Sequence, residues 1–154
     1  TKTKNTHATT TTTTTIHVSG SNQQLAGLEQ HNKFREIHGS PPMTLDDNLN
    51  QAALIFAQEL AAKDEFYHDP KLQELGHGEN LYASWSSKAV NIDYADAVAE
   101  WYNEVIVPGY EFENPGWSEN PGTGHFTQVV WKKSIKLGMA HAVADSGWIY
   151  VVAR

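Results

Sequence analysis

The chain has 154 residues, 40% hydrophobic, 10% aromatic and 19% charged, a composition that excludes wholesale disorder and supports one domain with its own core. Eleven lysines and arginines stand against 18 acids, a net charge of −7 that opposes the phosphate attraction behind general nucleic-acid binding. Cysteine is absent, which excludes disulfides, thiolate metal cages and a cysteine nucleophile, and the longest apolar runs, 52–57 and 148–153, fall far short of the ~20 residues of a membrane-spanning helix.

Residues 1–20 hold ten threonines, with an unbroken run from Thr9 to Thr15, and read as a Thr-rich disordered tail. Residues 21–154 read as one folded domain. Leu25, Leu28, Phe34 and Ile37 recur near a 3.6 period and predict a helix over 22–38, stopped by Gly39 and Pro41. Asp46 or Asp47 caps a second helix that carries Leu49, Ala52, Ala53, Phe56, Ala57 and Leu60. The segments 67–70 and 76–81 suit loops, the latter because Gly76 and Gly78 let the backbone come close to whatever the side chains hold. Asp93 caps a third helix with Ala97, Val98, Trp101, Tyr102 and Val105 on its apolar side, ended by Pro108 and Gly109. The stretch 105–124, rich in proline and glycine, reads as a long loop. Three β-rich runs follow at 126–131, 137–144 and 148–153, the last two joined by the turn residues Asp145, Ser146 and Gly147. Helices first and an antiparallel sheet last predict an α+β domain whose helices cover the sheet.

His68, Glu79, Glu104 and His125 each stand at the end of a predicted element. Should they converge, two imidazoles and two carboxylates form a donor set for a divalent cation such as zinc; without a metal the same four form a hydrogen-bonded polar cluster. Asn80 and Gln128 are candidates to orient them, as liganding histidines usually donate their other N–H to a fixed acceptor, although backbone hydrogen bonding accounts for both equally well. Tyr110, Phe112 and Trp117 in the long loop either line one wall of an apolar crevice or form a small aromatic core that pins the loop.

The runs GHGENLY (76–82), AEWYNE (99–104) and GHFTQVVW (124–131), in this order and at these intervals, resemble the CAP superfamily of cysteine-rich secretory, antigen five and pathogenesis-related proteins, and 31–53 is similar to the first two helices of that family. The cysteine-free interior, the PGW run at 115–117 and the ending VVAR look most like its Golgi-associated branch. The resemblance implies a three-layer α-β-α sandwich and a cleft in which His68, Glu79, Glu104 and His125 meet. It also implies a bound divalent cation, with zinc the expected one, and sterol, fatty-acid or lipid-surface binding. A recognition module of venom, allergen or defence type, acting on a protein receptor or as a homodimer, and a metal-dependent hydrolase are the alternatives. Some relatives carry a serine, suggested as a nucleophile, where this chain has Trp85 flanked by Ser84 and Ser86, so no catalytic residue is assigned. Secretion is the favoured expectation for location, with a peripheral place on the Golgi membrane as the alternative.

Overall fold

A computed structural model describes residues 20–88 and 91–154; the threonine run lies outside them. The first helix, α1 (Asn22–Ile37), opens with a capping box in which the Gln24 amide donates to Ser21 Oγ at 3.2 Å and the Ser21 amide donates to Gln24 Oε1 at 2.9 Å. A two-residue strand, β1 (Thr44–Leu45), precedes α2 (Asp47–Lys63), whose first amides at Asn48 and Leu49 donate to the Asp46 cap. Next come the single turn α3 (Leu72–Leu75), β2 (Asn80–Trp85) and α4 (Tyr94–Asn103), capped as expected by Asp93. The chain closes with α5 (Gly124–Val129), β3 (Lys136–Leu137), β4 (Met139–Val143) and β5 (Trp148–Ala153).

The main sheet is antiparallel in the order β2-β5-β4, with Asn80 opposite Ala153 and Met139 opposite the same residue on the other side; β1 and β3 form a separate parallel pair. Strand alternation sends Tyr150 and Val152 to one face of β5 and Val151 and Ala153 to the other. On the first face Ala53, Phe56, Ala57 and Leu60 of α2 close over them; on the second, Ala97, Val98 and Trp101 of α4 and Val129 of α5 do so. These two apolar clusters make the expected three-layer α-β-α sandwich. Full burial of each large side chain contributes ~1.5–3 kcal/mol. At Gly138, between β3 and β4, a Cβ would collide with the Leu49 carbonyl carbon, so α2 rests directly on backbone there.

Several expectations are corrected. Residues 126–131 are not a strand: α5 places Phe126 and Val129, three apart, in the core, and the Val129 and Trp131 carbonyls accept from Arg35 instead of joining a ladder. A short β-branched run fits a buried helix as well as a strand. The reverse holds at 80–85, where the expected loop at 76–81 runs into the edge strand β2. The third helix stops at Asn103, leaving Val105 in a wide turn over Val105–Gly109, and the run 137–144 is broken at Gly138. No helix among the described residues is long and apolar enough to cross a membrane.

His31 of α1 is buried beneath this core. Burial is the main influence on its imidazole; the Gly27 carbonyl, 2.8 Å from Nδ1, works against it and the Arg35 charge works with it, and the net effect pulls the pKa down to about 4. A depressed histidine pKa gives stability that is complete above the unfolded value near 6.5 and lost as the pH falls toward the folded value. Each tenfold weakening of proton binding on folding corresponds to ~1.4 kcal/mol, so the chain is expected to lose roughly 3 kcal/mol between pH 7 and pH 4 from this residue. Urea midpoints at the two pH values should therefore move closer together in His31→Gln; an unchanged gap would assign the acid sensitivity elsewhere.

Candidate functional site

Glu79 immediately precedes β2, and its side chain is 0% exposed, whereas that of His68 is 60% exposed. His68 Nδ1 donates to Glu79 Oε1 at 2.7 Å, and the Asp69 amide donates to the same oxygen at 3.1 Å. The other carboxylate oxygen lies 3.1 Å from Arg154 Nη2, which also donates to Asp69 Oδ2 at 2.8 Å. The Arg154 guanidinium sits 5.1 Å over the Phe56 ring. Two acids and one arginine thus neutralise much of each other's charge, with Glu79 and Arg154 out of reach of water and Asp69 at the edge. Burial opposes ionisation of Asp69, but the Arg154 hydrogen bond and the Lys71 amide outweigh it and hold its carboxyl below the usual range.

A second pair repeats the pattern. Glu104 follows the last residue of α4; His125 Nδ1 donates to its Oε1 at 2.6 Å and the Phe126 amide to its Oε2 at 3.0 Å. The His125 ring stacks on Trp101 at 6.4 Å with 19° between planes, and Trp101 Nε1 donates to the Leu81 carbonyl at 2.8 Å. Asn80, next to Glu79, donates to the His125 carbonyl at 3.0 Å, so the loop that carries one pair is tied to the helix that carries the other.

The four residues singled out in the sequence therefore form two imidazole–carboxylate pairs. Among the described residues, no three histidine or acidic side chains converge closely enough to hold a metal as they stand. The donor chemistry nevertheless suits one. A carboxylate only accepts, so each Nδ1 carries a proton, and in the neutral ring Nε2 is the nitrogen left to bind a metal. Asn80 orients backbone rather than a ring. Gln128 packs on Gly78, where a Cβ would strike its amide, and donates to Ser134 Oγ at 3.3 Å; among the described residues it hydrogen-bonds no histidine. Ser84 and Ser86 lie at the other end of β2, away from both pairs.

Beside the second pair lies a crevice of about 510 Å³, lined by Tyr110, Phe112, Phe126, Val130, Trp131 and His38 together with Pro115 and Lys132. Tyr110 and Phe112 meet edge-to-face at 5.0 Å, and Tyr110 meets Phe126 likewise at 5.2 Å. Burial lowers the His38 pKa, favouring the neutral ring, and its Nε2 is 3.0 Å from the Tyr102 hydroxyl. Trp117, expected with Tyr110 and Phe112, does not line the crevice; its ring edge lies against Gly124 and the residue is 71% exposed. Phe126, Val130 and Trp131 are lining residues that the sequence does not single out, although GHFTQVVW contains all three; helix α5 carries Phe126, and Val130 and Trp131 follow just past its end.

The model of the CAP, cysteine-rich secretory protein family matches residues 28–153. The chain is 39% identical over 128 residues to the Golgi-associated plant pathogenesis-related protein 1 of Homo sapiens, covering 82% of this chain and 77% of that one. In fold it is similar to BmVAL-1, with a TM-score of 0.70, 26% identity, and coverage of 90% and 78% of the two chains. It is also similar to NaASP2, whose structure was determined with Zn2+, at a TM-score of 0.69, 24% identity, and coverage of 90% and 81%.

Proposed function

As the chain belongs to the cysteine-rich secretory protein family, we propose that it is a binding protein that takes a sterol-like lipid in the crevice between the 110–115 loop and α5. The observation that carries this reading is the crevice itself. Its volume of about 510 Å³ falls within the ~300–1,000 Å³ of small-molecule sites, and its walls are mainly aromatic and aliphatic. A sterol is a rigid apolar body with one hydroxyl, and Ser40, Thr127, neutral His38 and the amines of Lys132 and Lys133 are polar groups in the lining that can meet that hydroxyl. The family supports secretion as the compartment, and the Golgi-associated relative supports a peripheral Golgi location as the alternative.

The test is saturable binding of a fluorescent sterol, displaced by unlabelled sterol. Phe112→Ala and Trp131→Ala are each expected to weaken it about tenfold, since each removes a ring that walls the crevice. Trp117→Ala should leave it unchanged. Binding that never saturates, or that survives both crevice variants, would overturn the reading.

The paired imidazoles support a second element of the proposal, a divalent cation held by Nε2 of His68 and of His125 with waters completing the shell. Glu79 and Glu104 would then orient the rings from behind rather than ligate. The cation would bridge two segments already tied through Asn80 and so stiffen the cleft. In zinc titrations by calorimetry, His68→Ala and His125→Ala are each expected to abolish the binding step, whereas Glu104→Gln, which keeps an acceptor for Nδ1, should retain it at ~10–100-fold lower affinity. Zinc uptake that persists in both alanine variants would count against this assignment.

A further inference from the structure

We propose that the aromatic face formed by Phe66, Trp85 and Trp148 docks a basic peptide segment of a partner protein. In the register of β2 and β5, Trp85 lies directly opposite Trp148, so both indoles stand on one face of the sheet, and Trp148 shares that face with Tyr150 two residues on. This is the face that α2 covers, but α2 ends at Lys63, short of the indoles. Just beyond its end, Phe66 lies on the Tyr150 ring at 6.3 Å and extends the aromatic strip. Phe66, Trp85 and Trp148 are 54%, 57% and 41% exposed, a grouping of large apolar side chains that a soluble surface rarely leaves without a use.

The strip is held in place before anything binds. Trp85 Nε1 donates to the Ser146 carbonyl at 3.0 Å, and its ring is hemmed in by Gly147, where a Cβ would meet Nε1 at 3.1 Å. Tyr150 donates to Asp64 Oδ1 at 2.8 Å, fixing the floor under Phe66. Preset aromatic rings lose little freedom on binding, which is the character of interface anchors.

Charge identifies the occupant. Asp64 and Glu65 precede Phe66, and Asp145 precedes the Ser146 that holds Trp85; all three are exposed. A two-fold contact between copies would set acids of one chain against the same acids of the other, so self-association is disfavoured. An anionic bilayer and nucleic acid are repelled for the same reason. Lysine or arginine in an extended peptide meets both features at once, its stem on an indole face and its charge toward a carboxylate.

The probe is a short fluorescein-labelled peptide alternating lysine and leucine, titrated with the full chain and followed by anisotropy, with the glutamate–leucine peptide as control. Saturable binding of the basic peptide alone is expected, weakened about tenfold or more by Trp85→Ala or Trp148→Ala and progressively by salt. Glu65→Lys combined with Asp145→Lys, two exposed positions away from the core, should abolish it without affecting the fold, and Phe112→Ala in the lipid crevice should leave it intact. Equal binding of both peptides would reduce the face to general adhesion and overturn the proposal. So would absence of saturation, or sedimentation showing dimers that Trp85→Ala disperses.

Discussion

Arg35→Met is expected to be the most damaging single substitution in the domain. The Arg35 side chain is fully buried in α1 without a carboxylate partner; it donates instead to the carbonyls of Pro41, Val129, Trp131 and Ser134 at 2.7–3.0 Å. Three of these carbonyls belong to α5 and the turn that follows it, so one guanidinium ties the end of α1 to the segment behind the imidazole and crevice residues. Burial lowers its pKa, yet a guanidinium stays charged under any ordinary condition. Methionine fills similar space but satisfies none of the four acceptors. At ~1 kcal/mol or more for each charge-assisted bond lost, the cost is about 4 kcal/mol or more, a large share of the ~5–15 kcal/mol that holds a typical domain folded. The check is chemical denaturation: a fall in the urea midpoint with unchanged slope. Arg35→Lys, which retains charge but not the planar fork, should recover only part of the loss. A midpoint near that of the parent chain in Arg35→Met would refute this role.

Arg154→Met is expected to cost ~3–5 kcal/mol, the range for removing one partner from a buried ion pair. Two acids, Asp69 and Glu79, would be left without their cation where solvent barely enters. The pH dependence of the Asp69 contribution should change as well. In the parent chain Asp69 has a depressed pKa, so its contribution is complete above ~pH 4 and is lost as the pH falls through the folded value. Without Arg154, the burial of Asp69 meets less opposition, its carboxyl pKa rises, and the stability that Asp69 adds above ~pH 4 shrinks or reverses. Glu79→Gln added to Arg154→Met removes one uncompensated charge and is expected to restore part of the loss. A double variant no more stable than Arg154→Met would show that packing, not charge, dominates there.

Neither arginine is legible in the sequence, and the reason is physical. Their partners are 85 or more residues away for Asp69 with Arg154 and for Val129 with Arg35, and only the folded chain brings them together. What is legible is local. Asp46 and Asp93 announce helix starts because a cap acts on amides two or three residues away, and both occupy those places. The 148–153 strand is readable because its hairpin turn is encoded in three adjacent residues. FTQVV misleads because β-branched residues favour strands, while tertiary packing selects a helix that buries Phe126 and Val129. The site residues rest on resemblance, since separations of 11, 25 and 21 residues carry no geometric signal of their own. The structure resolves them into two coupled pairs.

The central position of β5 has a consequence for biosynthesis. The sheet's middle member is the last of its three strands to be made, joining Asn80–Trp85 and Met139–Val143 only after both have emerged. Until then a nascent chain presents two apolar ribbons with no neighbour between them. The sheet therefore closes only after residue 153 has emerged from the ribosome, and stalled chains that hold it back should be open to protease attack and chaperone capture.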